Sequence, residues 1–249
     1  MIWLDSMFIA FSLYTVIPVP QIDWEAGGMR YALAFLPTAG AAAALLSWIV
    51  CEIFVLLGMG DMARAACAAA SPIFFTGGIH LDGFMDTVDA LSSHRGIEDK
   101  LTILKDSHIG AFAAAGCALY LLLYTAFSYD AGMKAMLIMI PGAALSRALC
   151  GLASLSIKPA RKGGMLDTVV SASDRQLLII ILTAIGVGSA LTMILMGHMR
   201  GLAAVLAALF SFALFIRMAV REFGGITGDL AGFFIQTAEL AMLLCLTFH

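Results

Sequence analysis

Leu177-Leu-Ile-Ile-Ile-Leu-Thr-Ala-Ile-Gly-Val-Gly-Ser-Ala-Leu-Thr-Met-Ile-Leu-Met196 runs for twenty residues without one charge. A helix of ~20 predominantly apolar residues crosses the hydrocarbon core of a bilayer, so this stretch predicts a transmembrane span. Similar runs lie on either side of it. Leu202–Ile216 is also uncharged, and Leu230–Phe248 holds only Glu239. Upstream, Ile109–Phe127 is clean and Met133–Leu155 is interrupted by Pro141 and Arg147. Tyr31–Leu57 has no charge before Glu52, and Met62–Gly77 is short, Ala-rich and contains Pro72. The expectation is an all-α, polytopic membrane bundle of about six or seven crossings, forming one integral-membrane catalytic domain over residues 1–249. The runs are continuous rather than alternating, which argues against a transmembrane β-barrel.

Composition agrees. The chain has 249 residues, 61% hydrophobic and 12% charged, with a mean hydropathy of +0.97. An ordinary soluble domain is nearer ~45–50% apolar and ~25% charged. The formal net charge of -3 argues against nucleic acid as a partner. Five cysteines without a CxxC pair suggest buried apolar residues rather than a disulfide framework or a zinc site. Met1–Pro20 lacks a basic n-region and a small-residue cleavage site, so it reads as a membrane-embedded or interfacial segment, not a signal peptide.

The connections are of two sorts. Gly58–Asp61, Ser128–Gly132 and Gly197–Gly201 are tiny, whereas Asp82–His108, Ser156–Arg175 and Arg217–Asp229 are longer and charged. Alternating helices put the three longer ones on one face, with Arg30, Arg95, Lys100, Lys105, Lys158, Arg161, Lys162, Arg175, Arg217 and Arg221. Arg64, Lys134 and Arg200 fall on the other. The positive-inside rule makes the charged face cytoplasmic. The expected location is therefore the cytoplasmic (inner) membrane, with the active-site loops toward the cytoplasm.

Three segments on that face carry chemistry. In Gly77-Gly-Ile-His-Leu-Asp-Gly-Phe-Met-Asp-Thr-Val-Asp-Ala-Leu91, a helical reading puts Asp82, Asp86 and Asp89 within roughly a 60° arc. Like charges so spaced repel by a few tenths of a kcal/mol per pair unless a cation bridges them. All-oxygen donors without thiols suit Mg2+, which also binds substrate phosphates. The bland alternative is a solvated helix whose carboxylates face water. In Lys105-Asp-Ser-His-Ile-Gly110, Ser107 is placed to cap the following helix, whose N-terminus favours an anion. In Arg221-Glu-Phe-Gly-Gly-Ile-Thr-Gly-Asp229, glycines admit close backbone approach, while Arg221 and Thr227 suit phosphate. Glu239 follows ten residues after Asp229, ~15 Å along the helix. Ionisable groups inside spans default to functional candidates, although an ion pair between Arg147 and Glu239 is an equal reading. Arg161 belongs to a basic run that also serves as a topology signal or a lipid contact.

At these residues the chain resembles the cobalamin synthase family, the adenosylcobinamide-GDP ribazoletransferases. The match rests on Thr76-Gly-Gly-Ile-His-Leu-Asp-Gly-Phe-Met-Asp-Thr-Val-Asp89, on Asp106-Ser-His-Ile-Gly110, and on Gly224-Gly-Ile-Thr-Gly-Asp229 with Glu239. Pro18-Val-Pro20, Phe35-Leu-Pro-Thr-Ala-Gly40, Ser146-Arg147 and Ala160-Arg161 add weaker support. The resemblance implies a Mg2+-dependent transfer: adenosylcobinamide-GDP joins α-ribazole or α-ribazole phosphate, giving adenosylcobalamin or its phosphate and GMP. It implies Asp82, Asp86 and Asp89 on the metal, with Asp229 and Glu239 as further ligands. His80 or an Asp takes the hydroxyl proton. Arg95, Asp106, Ser107, Arg147, Arg161, Arg221 and Thr227 are then substrate contacts. A homo-oligomer or an association with other cobalamin-assembly enzymes is a further expectation. The chain departs from the family pattern at Val16, where Arg is frequent, and at Gln236, where a carboxylate is usual. Two competing classes are a CDP-alcohol phosphotransferase, whose Asp-Gly spacing differs, and a secondary transporter, whose internal repeat is missing here.

Overall fold

In a computed structural model describing residues 2–22 and 26–248, helices account for nearly all regular structure. They are α1 (Ile2–Tyr14), α2 (Ala26–Met29), α3 (Ala32–Leu56), α4 (Asp61–Thr76), α5 (Ile79–Ser92), α6 (Ile97–Ile103), α7 (Ala111–Ser156), α8 (Met165–Ala172), α9 (Arg175–Phe223) and α10 (Gly228–Thr247). Four of them, α3, α7, α9 and α10, are long and apolar enough to cross a membrane. The chain is an all-α polytopic membrane protein. Met1, the start of the expected interfacial segment, lies outside the described residues, and α1 packs on α3.

Two long helices are folded back on themselves. In α7 the backbone leaves helical geometry at Gly132 (φ 72°, ψ -175°), a left-handed φ that glycine adopts without a Cβ clash. Tyr124 and Arg147 therefore line one small cavity, whereas a straight helix would hold them ~35 Å apart. In α9 the break is at His198 (φ 51°, ψ -124°), and Gly201 comes against the backbone of Met193 and Ile194. Both breaks fall in connections that the sequence marks as tiny. Each long helix thus contributes two apolar arms.

α10 is the inner helix, packed against α5, α7 and α9. Leu230, Phe234, Ile235, Ala238, Met242 and Leu243 are all essentially sequestered. Phe234 meets Phe215 at a 4.9 Å ring separation, and Phe84 of α5 stacks on Phe233 at 5.6 Å. In lipid, helices associate through close packing rather than hydrophobic burial, and small residues set the approach here. An added Cβ at Gly116 would come within 3.1 Å of Val88, and one at Gly151 within 2.8 Å of Leu182.

The ends of the bundle differ in charge, as the loop pattern predicts. At one end Arg64 donates to the carbonyl of Ser128 (3.4 Å) and pairs with Asp61, while Lys134 and Arg200 sit together near Gly197 and Leu246. The long charged connections occupy the other end. There Lys100 pairs with Glu222 (2.6 Å), tying α6 to α9, and Arg30 pairs with Asp174 (2.9 Å).

Candidate active site

The turn between α4 and α5 decides where the motif carboxylates go. Gly77 and Gly78 both adopt left-handed φ (65° and 77°), closing α4 and launching α5 in a new direction. α5 then runs against the start of α10. A Cβ at Gly83 would lie 2.7 Å from the carbonyl oxygen of Asp229, and one at Gly232 would lie 2.8 Å from that of His80. Backbone meets backbone at both glycines. Asp82 and Asp229, the neighbours of this crossing, consequently line the mouth of one cavity.

A second strand of chain completes that mouth. Pro159 bridges Ile226 in parallel: Ile226 N–H donates to the Lys158 carbonyl (3.0 Å) and Ala160 N–H to the Ile226 carbonyl (2.9 Å). The clamp brings Arg161 over Asp229, with Nη2 at 3.5 Å from the carboxylate. The Arg161 Nη1 is buried without a partner. Thr227 caps α10 by accepting from Leu230 N–H (3.2 Å), and its hydroxyl also donates to Asp229 (3.3 Å). A helix N-terminus, a partly exposed arginine with an unused donor and facing carboxylates make a place for an anion and a cation together.

The cavity has a volume of about 280 Å3. Behind the polar mouth lies an apolar throat walled by Leu33, Leu36, Cys150, Val169 and Ile235. His80 lines it, with Nε2 buried and unpartnered, and Tyr14 stands beside it at a 6.5 Å ring separation. Burial, reinforced by the Arg147 charge, holds the His80 imidazole well below its ordinary pKa, so it is neutral. Asp86, one turn beyond Asp82, is pushed up to about 6 by partial burial and by Asp82, Asp229 and Asp89.

Asp89 does something the motif does not announce. Its two oxygens accept from Gly110 N–H (2.7 Å) and Ala113 N–H (2.8 Å), so it caps α7 from another helix. This corrects the expected role of Ser107. α7 starts at Ala111 with Gly110 as its cap position, too far along the chain for Ser107, which is exposed. Asp106 accepts from the backbone N–H of His108 (3.0 Å) and contacts its ring, which keeps its pKa low. Neither Asp106 nor Ser107 lines the cavity.

The arginines separate in the same way. Arg161 alone of the four candidates reaches the cavity wall. Arg95 is exposed just past α5, and Arg221 is 71% exposed and 3.5 Å from Glu222. Arg147 is buried against Glu239 and Ser146, and Ser146 also bonds Glu239 (2.9 Å). Glu239 is thus held in the bundle interior, apart from Asp229, and Gln236 beside it accepts from Tyr120. Val16, the other departure from the family pattern, donates its N–H to the Phe75 carbonyl (2.9 Å) near the glycine turn.

Three cavity residues carried no warning in the sequence: Tyr14, Ser154 and Asp167. Asp167 accepts from Gly163 N–H (2.8 Å), closing the turn into α8. An Asp three residues after a Gly-Gly pair is the one local signal that points to it.

The donor set fits Mg2+ in kind, being carboxylate oxygen throughout. Among the described residues no three His, Cys, Asp or Glu side chains are gathered closely enough to hold one ion. The expected Asp82, Asp86 and Asp89 triad does not close, because Asp89 serves the α7 N-terminus. Mg2+ is commonly held by one or two carboxylates, with water and substrate phosphate supplying the rest. Asp82 and Asp229 match that description.

A model of the cobalamin-5-phosphate synthase family matches residues 6–247. An adenosylcobinamide-GDP ribazoletransferase of Lachnoclostridium phytofermentans is 39% identical over 96% of this chain and 91% of its own length. Proteins of the same name from Clostridium perfringens (31%, over 98% of both chains) and Mesorhizobium japonicum (29%, over 97% of this chain and 92% of its own) are also similar. No solved structure matches.

Proposed function

The chain belongs to the cobalamin-5-phosphate synthase family, and from that premise we propose a Mg2+-dependent membrane phosphotransferase of late cobalamin assembly. Its substrates are adenosylcobinamide-GDP and α-ribazole or α-ribazole phosphate; its products are adenosylcobalamin or its phosphate, and GMP. A ribose hydroxyl of ribazole attacks the cobinamide-bound phosphate, and GMP leaves. The observation that carries this reading is the convergence of Asp82, Asp229, Thr227 and Arg161 on one cavity mouth.

A Mg2+ held there by Asp82 and Asp229 would supply charge neutralisation at the pyrophosphate. Asp82 and Asp229 are the ligands offered by this chain. Arg161, with its Nη1 unpartnered, would contact phosphate oxygen, where a fixed cation is worth most in the transition state. Asp86, with its raised pKa, accepts the hydroxyl proton more readily than an ordinary carboxylate. Asp89 acts at one remove, fixing the stripe on α5 against α7. Seven crossings, counting the arms of α7 and α9 separately, together with α4, leave these groups at the basic end of the bundle. The positive-inside rule turns that end to the cytoplasm.

The test is GMP release from adenosylcobinamide-GDP by purified protein in detergent, with ribazole added. Release that depends on both Mg2+ and ribazole supports the assignment. No release by well-folded protein overturns it.

A further inference from the structure

The cavity is two environments joined end to end. Its mouth is charged and open: Asp82 is exposed, and Asp229 and Arg161 are about a quarter exposed. Its throat is dry: Leu33, Leu36, Cys150, Val169 and Ile235 are each 7% exposed or less. Ser154 in the throat already donates to the Cys150 carbonyl (2.9 Å), so its donor is engaged. His80 is 6% exposed, and its Nε2 has no partner. A buried ring nitrogen without a partner costs free energy in the empty protein unless a ligand completes it.

Resting on the phosphotransfer reading above, we propose that the throat seats the base of the nucleoside acceptor. The base would be a flat, apolar-edged heteroaromatic ring whose one free nitrogen accepts a hydrogen bond from His80 Nε2–H. An imidazole donates from Nε2 in its Nε2–H tautomer and when protonated alike. Size bears on the choice. At about 280 Å3 the cavity falls just below the roughly 300–1,000 Å3 typical of small-molecule sites. It admits a nucleoside and excludes a corrinoid macrocycle, which stays outside the mouth. Chemistry separates the two nucleosides of the reaction. Guanine has several polar edge atoms, to which the Leu33, Leu36, Val169 and Ile235 walls offer no partner. An alkylated benzimidazole attached through one ring nitrogen has a single acceptor left and hydrocarbon elsewhere. With the ring against Leu36 and Ile235, the ribose points back to the mouth, where Asp82 and Asp229 wait. His80 is then a specificity-determining contact rather than the proton acceptor.

The first test needs no variant. Binding of α-ribazole to the full-length protein in detergent, without Mg2+, is compared with that of the indole nucleoside in which CH replaces the acceptor nitrogen. A preference of about tenfold for the benzimidazole is expected, while equal binding overturns the proposal. His80→Ala should erase the preference and raise KM for ribazole about tenfold, leaving KM for adenosylcobinamide-GDP unchanged. His80→Gln, which keeps an N–H donor, should recover part of it. A rise in KM for adenosylcobinamide-GDP instead, or displacement of ribazole by guanosine, assigns the throat to the donor nucleotide and overturns the proposal. Loss of GMP release from wild-type protein that still discriminates the two nucleosides sinks the phosphotransfer reading and leaves this subsite standing.

Discussion

Two arginine–carboxylate pairs, whose acids Asp229 and Glu239 stand ten residues apart on α10, serve opposite ends. Arg147 and Glu239 are buried at 5% and 9% side-chain exposure, and both hold further bonds to Ser146. Arg161 and Asp229 are 28% and 24% exposed and 3.5 Å apart, and one guanidinium nitrogen is unused. The first pair is buried and tied to Ser146, so it neutralises charge inside an apolar bundle. The second is loosely made, reachable and incomplete. An ionisable residue inside a membrane protein is a functional candidate until its partners are counted; counting them separates these two.

The largest effect is expected where the closed pair is broken. Glu239→Ala leaves Arg147 unpaired in the interior and should cost ~3–5 kcal/mol of stability, read as a lowered melting temperature in detergent. The double substitution Arg147→Met with Glu239→Leu should restore most of that loss and retain Mg2+-dependent GMP release within a few-fold. Failure of the double variant to turn over while folded would give the pair a chemical role and collapse the contrast.

Opening the loose pair should act on rate instead. Asp82→Asn or Asp229→Asn should lower kcat ~100- to 1,000-fold, the usual loss when a group that stabilises transition-state charge is removed, with little change in melting. Gly83→Ala probes how the pair is positioned. Its Cβ would be pressed to 2.7 Å from the Asp229 carbonyl, so α5 and α10 must separate, at ~1–3 kcal/mol for an overpacked contact. Turnover should fall more than stability does. Normal turnover would mean that the α5–α10 crossing does not set the carboxylate geometry.

The smallest effect is a pH dependence at Asp86. Its folded pKa, about 6, lies above the unfolded value of 3.8. The folded state therefore holds this proton more tightly, a contribution fully present below pH 3.8 and lost as pH rises through 6. Without Mg2+ the melting temperature should fall across that window, and Asp86→Asn should flatten the fall. Added Mg2+ should reverse it at neutral pH by offsetting the carboxylate repulsion. An unchanged profile in Asp86→Asn would place the repulsion elsewhere.

Much of the frame was legible because it depends on local pattern. Apolar runs of span length located α3, α7, α9 and α10, and the tiny connections located the reversals at Gly132 and His198. The i, i+4, i+7 spacing put Asp82, Asp86 and Asp89 on one stripe. Their division of labour was not legible, because it depends on what each faces. Asp89 turned out to meet α7's N-terminus, 21 residues downstream. Of the basic residues, only the Pro159–Ile226 clamp selects Arg161, a pairing across 67 residues that no local period encodes. Tyr14 looks ordinary in the sequence, and Asp167 is marked only by the glycine pair that precedes it.

The sequence alone determined the solvent of this protein, its helical class and the end of the bundle on which the long charged connections collect. Those follow from hydropathy, span length and charge placement, which are sums over neighbouring residues. Only the tertiary structure decided which charges cancel and which stay available. Cancellation needs two groups within a few ångströms, and in this fold that distance is set by glycine-permitted helix crossings between segments far apart in the chain.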